Sequence, residues 1–182
     1  MLKIEIEIPE GIEATLENNT LNIKGKKGSV SKMLQNPQVS LKLEGKKITL
    51  VSGIDRKKVR AIIGTWQVLI RNMFTGVTKG WKGELKLVYT HFPVKLKLEG
   101  GKLYIDNFLG EKSPRTVPVP ADMKVEIDKN AVYVSGLDKE RVGQVCGRIE
   151  QTTKIRGYDK RVFQDGIYIT RSPYVEGEDE KQ

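Results

Sequence analysis

Residues 154–171 read KIRGYDKRVFQDGIYITR, with five basic residues, Lys154, Arg156, Lys160, Arg161 and Arg171, against two acidic ones. Tyr158, Phe163 and Tyr168 are interleaved among them. Lysine and arginine bind phosphate oxygens, and an aromatic or guanidinium plane stacks on an unpaired base. These types at this spacing describe a surface for a polyanion built of phosphates and planar rings. A plainer reading stays open beside it: Phe163, Ile167 and Ile169 pack a last strand, and the charges are solvated. The two are compatible, with apolar residues anchored inward and basic ones reaching out. Asp165-Gly166 is a tight-hairpin signal, and residues 167–170 read as a strand.

Two shorter stretches could do the same chemistry. In GEKSPRTVPVP, residues 110–120, Lys112 and Arg115 flank Ser113-Pro114. Three prolines fix φ, so a basic loop there loses little entropy on binding; the alternative is an edge strand that proline protects. In KGKKG, residues 24–28, Lys26 and Lys27 read as a hairpin tip. Such a tip can touch phosphate, or it can simply keep an edge solvated. It matches neither GxxxxGK[ST] nor GxGxxG. Lys79 and Lys82, in TKGWKG, add positive charge where the two halves of the chain meet.

Little else could do chemistry. His91 is the only histidine and Cys146 the only cysteine. A Ser-His-Asp or Cys-His arrangement would have to use His91, which sits on a strand-like stretch and reads as structural or surface. Cys146 falls on the apolar stripe of a helix and reads as a small core residue. With no histidine pair and no gathered carboxylates, no metal site, cofactor or small-molecule substrate is expected.

The elements that position these residues come in two copies. VSGIDRKKV begins at Val51 and VSGLDKERV at Val134, 83 residues on, with five of nine positions identical. Each is a strand end, a Ser-Gly break and a helix start. Asp55 and Asp138 are placed as N-caps, whose carboxylates accept the first free helical N–H groups. Val59, Ile62, Ile63, Trp66, Leu69, Ile70 and Met73 then mark one buried face, with Gly76 as a stop; Val142, Val145, Cys146 and Ile149 mark the other. Gly64 and Gly147 recur in mid-helix, where glycine costs roughly 1 kcal/mol against alanine; they predict close helix-on-sheet packing. Upstream, Ile8-Pro9 matches Phe92-Pro93, Leu21 and Ile23 match Leu103 and Ile105, and Gly28 matches Gly110. The expected class is α+β: two tandem duplicated domains, each a small, mostly antiparallel sheet packed by one main helix. They span residues 1–80 and 81–175, with an acidic and unstructured tail at 176–182. Residues 152–174 have no counterpart in the first half, and duplicated domains tend to place function where the copies differ.

The 182 residues carry a net charge of +9, with 38% hydrophobic and 30% charged residues. Residues 1–80 hold 14 basic against 7 acidic residues, residues 81–175 hold 17 against 12, and the tail holds 1 against 4. Two basic globular halves fit a polyanionic partner, and nucleic acid is the commonest. A high positive charge can also serve solubility alone. No apolar run approaches a bilayer span, and MLKIEIEIPE alternates charged and apolar residues, so neither a signal peptide nor a membrane partner is expected. One cysteine allows no internal disulfide and fits a reducing compartment.

With these residues in view, the whole chain resembles large-subunit ribosomal protein six, the L-six family, in its archaeal and eukaryotic form. The resemblance is carried by the paired VSG corners, by IEIPEGIE with KGKKG after it, and above all by KRVFQDGIYITR at residues 160–171. Arg161, Phe163, Asp165, Gly166, Ile167, Tyr168 and Ile169 look like the C-terminal signature of that branch; the lysine- and glycine-rich ending of the bacterial branch is missing. Between Gln151 and Arg161 the spacing departs from the family's pattern, in the stretch that holds Arg156 and Tyr158. The resemblance implies a non-catalytic structural protein of the cytoplasmic large ribosomal subunit. Its partners would be large-subunit rRNA and neighbouring ribosomal proteins. Contact would run mostly through the second domain, near the sarcin–ricin loop and the base of the factor-binding stalk, where translational GTPases dock. Lys112, Ser113, Arg115, Lys154, Arg156, Tyr158, Lys160, Arg161 and Arg171 are the expected rRNA contacts, with Lys26, Lys27, Lys79 and Lys82 behind them. Asp55, Gly64, Asp138, Gly147, Phe163, Asp165 and Gly166 are expected to be structural. The residues alone leave open a nucleic-acid-binding module outside the ribosome, an enzyme on a small scaffold, or a protein-binding adaptor that uses the acidic tail.

Overall fold

A computed structural model describes residues 2–175. The acidic tail lies outside the described residues. The chain divides into two compact units, Met1–Gly80 and Trp81–Gln182.

The first unit runs β1 (Leu2–Glu7), β2 (Glu13–Glu17), β3 (Thr20–Gly25), β4 (Gly28–Met33), β5 (Ser40–Glu44), β6 (Lys47–Ser52) and α1 (Lys57–Thr78). Its strands form two antiparallel sheets, β1-β6-β5 and β2-β3-β4. Asn18 and Asn19 both take positive φ, 45° and 65°, as a two-residue turn twisted to match its strands requires. Period-two alternation puts Leu21 and Ile23 of β3 and Ile48 and Leu50 of β6 inside, each with no solvent exposure. Val59, Ile63, Trp66, Ile70, Met73 and Phe74 of α1 are buried with them.

The second unit repeats this order with β7 (Trp81–Val88), β8 (Lys95–Glu99), β9 (Lys102–Asp106), β10 (Arg115–Pro118), β11 (Lys124–Asp128), β12 (Ala131–Gly136) and α2 (Lys139–Thr152). Leu103 and Ile105 are fully buried, as their counterparts Leu21 and Ile23 are. The sheet order β7-β12-β11 repeats β1-β6-β5. One strand is new: β13 (Gly166–Tyr174) pairs antiparallel with β7 along the edge that β1 leaves without a further strand among the described residues. The unduplicated segment is therefore a fourth strand, laid on the first strand of its unit.

Three sequence expectations are corrected here. Asp138 caps α2, accepting the Glu140 N–H at 2.9 Å. Asp55 does not cap α1: that helix starts one residue later relative to the repeat, with Arg56 at the cap position and no side-chain cap bond. The Asp55 carboxylate is instead gripped by the Arg60 fork at 2.5 and 2.8 Å, and that hydrogen bond lowers its pKa. Gly76 does not stop α1. It is buried within the helix, which runs on to Thr78 before Gly80 leaves with φ of +86°. Gly64 and Gly147 are not close-packing sites, because a Cβ built on either meets nothing within 4 Å. The close approaches come from strand glycines. A Cβ on Gly25 would lie 2.7 Å from Val77 Cγ2, and one on Gly83 would lie 2.6 Å from Cys146 Sγ. Recurrence in mid-helix pointed to the wrong element, since the contact is set by which strand passes under the helix.

Cys146 is fully buried under Gly83, and burial pushes its thiol up to about 11. A thiol-selective reagent is expected to leave the folded protein unlabelled at neutral pH and to label it at once in denaturant.

Candidate nucleic-acid interface

The candidate interface is built on β13 and the end of α2. In the register of β13 on β7, Ile167 faces Leu87 and Ile169 faces Leu85. The backbone N–H groups of Ile167 and Ile169 are taken by α2 and its C-cap residue, on the side away from β7. Thr153 Oγ1 accepts the Ile167 N–H at 2.9 Å, and Glu150 Oε1 accepts the Ile169 N–H at 3.1 Å. The Thr153 hydroxyl in turn donates to the Glu150 carbonyl at 3.1 Å. An edge strand is an exposed row of backbone groups; here helix side chains occupy it. Thr153 is 2% exposed, and neither it nor Glu150 had a local sequence signal. The TT step after an amphipathic helix is the only trace they leave.

Asp165 fixes the start of the strand. It is fully buried, and its Oδ1 accepts the Thr90 N–H at 3.2 Å and lies 4.0 Å from His91 Nδ1. Asp165-Gly166 is therefore not a hairpin turn. The partner of the strand that follows is β7, almost eighty residues earlier, and the carboxylate ties the two ends together. Oδ2 of Asp165 has no hydrogen-bond partner among the described residues. Above it His91 packs on Phe163 at 4.7 Å between ring centroids, and Tyr158 on Phe163 at 4.9 Å. Phe163 is half-buried against the core, so it is an anchor rather than a core centre. Phe163→Ala is expected to lower stability by about 2 kcal/mol, below the 3–5 of a fully buried phenylalanine; thermal melting reads it.

Tied down at Thr153, Ile155 and Asp165, the intervening loop holds its polar residues outside. Lys154, Arg156, Tyr158, Lys160 and Arg161 are all exposed. The Asp159 carboxylate accepts the Arg161 N–H at 2.9 Å, which turns the chain at the basic pair. Lys154 and Arg156 line a cleft of about 290 Å³ with Arg115 at the end of α2. Arg171 lies within β13 between two register shifts and sits over the Tyr174 ring at 4.9 Å.

The remaining expected contacts divide. Lys112 and Ser113 are exposed just before β10. Arg115 is turned inward, because residues 115–118 form the edge strand β10. Its guanidinium holds Glu111 at 2.9 and 2.5 Å, donates to the Thr152 carbonyl at 2.7 Å and the Lys154 carbonyl at 3.3 Å, and lies 4.3 Å over Phe108. The Arg115 hydrogen bond lowers the Glu111 pKa. The support this pair gives is complete above the ordinary carboxylate value of 4.5 and is lost as the pH falls through the lower folded value. Lys27, at the predicted hairpin tip, does the same for α1: its ammonium donates to the Lys79 carbonyl and its N–H to the Val77 carbonyl at 3.0 Å. Both units thus use a cation from the neighbouring sheet to satisfy the last carbonyls of the helix, which have no partners inside it. Lys26 lines a shallow hollow with Lys24 and Glu13. Lys82, on β7, lies 4.6 Å over the Tyr133 ring.

Comparison with known proteins agrees with this architecture. The family model described as ribosomal protein L6 matches twice, over residues 8–80 and 92–166. Large ribosomal subunit protein uL6 of Haloarcula marismortui is 43% identical over 173 residues, 95% of this chain and 97% of that protein. The protein of the same name from Methanobrevibacter smithii is 44% identical over 92% of this chain and 94% of its own. That from Picrophilus torridus is 38% identical over 92% and 93%. With one family matched in both halves and archaeal relatives aligned along nearly the full length, the chain belongs to the ribosomal protein L6 family.

Proposed function

We propose that this chain is a structural constituent of the large ribosomal subunit, in the cytoplasm, and that it binds large-subunit rRNA through its second unit while packing against neighbouring ribosomal proteins. The observation that carries the reading is the loop between α2 and β13. Buried Thr153, Ile155 and Asp165 hold it, and it presents Lys154, Arg156, Tyr158, Lys160 and Arg161 outward. Lysine and arginine at a fixed spacing neutralise successive phosphates, and the aromatic member offers a face to a base. Lys112, Ser113 and Arg171 extend this surface, and Arg115 shapes it from within. The finer part of the proposal is that the contact lies near the sarcin–ricin loop and the base of the factor-binding stalk, where translational GTPases dock. It rests on the resemblance of residues 160–171 to the family's signature. Lys26, Lys27, Lys79 and Lys82 would add at most secondary contacts.

Sedimentation of a native lysate through sucrose tests the reading. The chain is expected to travel with the large subunit and to stay there through a moderate salt wash; recovery at the top of the gradient would favour a nucleic-acid-binding module outside the ribosome. On isolated rRNA, Lys160→Ala and Arg161→Ala are each expected to reduce the slope of log affinity against log salt by about 0.7–0.9. An unchanged slope in both would remove the loop from the interface.

A further inference from the structure

The loop that carries the exposed cations also roofs a cavity of about 280 Å³, between the end of α2 and the start of β13. Its deep wall is mostly apolar: Ile155 is 7% exposed, Ile167 is fully buried and Phe163 half-buried, with the buried Thr153 beside them. Its mouth carries Lys154, Lys160 and Tyr168, all exposed. The volume falls just short of the 300–1,000 Å³ or so of pockets for drug-sized molecules, which leaves room for one planar ring system.

Tyr168 is prepared for such a ring. It is 45% exposed, yet it is not loose. Its hydroxyl donates to the Gln164 carbonyl at 3.0 Å. Its ring lies back over Gly166, where an added Cβ would come within 3.1 Å of it. The Gly166 φ lies outside the left-handed region, so a side chain there would press on the Tyr168 ring rather than strain the backbone. A large aromatic face held rigid and open, beside an apolar hollow with lysines at the mouth, is poorly explained by solubility. Glu150, the one acidic wall residue, is drawn to the strand by the Ile169 N–H.

We propose that this cavity receives a single unpaired nucleobase of the bound RNA, stacked on Tyr168, with Lys154 and Lys160 on the flanking phosphates. The inference rests on the RNA-binding reading above and goes beyond it: a paired base cannot leave its stack to enter, so the site selects an extruded or loop nucleotide. Gln164 and Gly166 thereby become positioning residues, which hold the stacking ring from the cavity wall.

Base-modification footprinting tests this with the full chain on deproteinised large-subunit rRNA. Wild type and Tyr168→Phe, which keeps the ring, are expected to shield one unpaired base that is reactive in free rRNA. Tyr168→Leu is expected to restore that reactivity and to weaken binding roughly ten-fold or more. Its salt slope and the rest of the footprint should persist, and an unchanged melting temperature shows that the fold is intact. If Tyr168→Leu leaves the whole footprint unaltered, or if wild type shields no unpaired base, the cavity is not a base site, although the RNA-binding reading stands. If wild type neither binds nor shields the rRNA at all, that reading falls and the base site with it.

Discussion

Gly25→Ala is expected to destabilise the first unit by about 1–3 kcal/mol, the range for forcing an extra methyl into a packed interior. For a unit of this size the thermal midpoint then falls by roughly 5–20 °C. The added Cβ would stand 2.7 Å from Val77 Cγ2, 2.9 Å from its Cβ and 2.9 Å from its carbonyl oxygen. None of these is the free end of a flexible side chain. Val77 is β-branched and buried in α1, and its carbonyl already receives the Lys27 N–H, so neither side can yield without moving the helix off the hairpin. Gly64→Ala should do the opposite and stabilise by about 0.5–1 kcal/mol, since the new methyl meets open space and removes the entropic cost of a mid-helix glycine. Gly83→Ala gives a cross-check in the second unit. It should destabilise alone and recover in Gly83→Ala with Cys146→Ala, because the methyl would occupy the place of the sulfur 2.6 Å away. A Gly25→Ala protein that melts with wild type would mean that α1 does not press on β3 as described.

Arg115→Ala carries the second large effect, and it separates two roles for one residue. Its charged donors reach the Thr152 and Lys154 carbonyls, and a hydrogen bond from a charged group contributes about 1.5–3 kcal/mol. The pair with Glu111 adds little, about 0–1 kcal/mol, because the Glu111 side chain is 40% exposed. The sum, with the stacking on Phe108, is a loss of about 2–3 kcal/mol, read as a lower melting temperature. The salt slope of rRNA binding, measured below that transition, should not change. A direct phosphate contact would show the reverse: an unmoved melting temperature and a slope reduced by about 0.7–0.9. Arg115→Lys should rescue only in part, because lysine keeps the charge and loses the fork that spans Glu111 and two carbonyls.

What could be read from the chain follows the range of each interaction. The α+β class, the duplicated corners, the Asp138 cap and the buried pairs Leu21/Ile23 and Leu103/Ile105 rest on periodicity and caps within a few residues of one another. A strand's alternation and a helix's stripe are local facts, and repetition doubles their signal. Family membership was legible for the same reason, because residues 160–171 carry their signature in order. The exposed loop was legible by residue type, since cations and aromatics without an apolar period must face outward unless something distant claims them.

Only the tertiary structure decided which residues are claimed. Arg115 and Lys27 have the composition of phosphate ligands, yet each is committed to a helix end 37 or 52 residues away. Asp165 resembles a turn residue until Thr90 arrives beside it, and Asp55 resembles a cap until Arg60 takes its carboxylate. The glycines that permit close packing lie on strands because the approach is between elements, a distance that no periodicity within one element encodes. The addition of β13 to the free edge of β7, with Thr153 and Glu150 occupying its far side, likewise depends on partners far away in sequence. By itself, then, the sequence determined the inventory of elements, the family and the chemical character of the surface. The folded chain determined which charged groups are spent on its own backbone and which remain at the surface, because that division is made by contacts whose partners lie tens of residues apart.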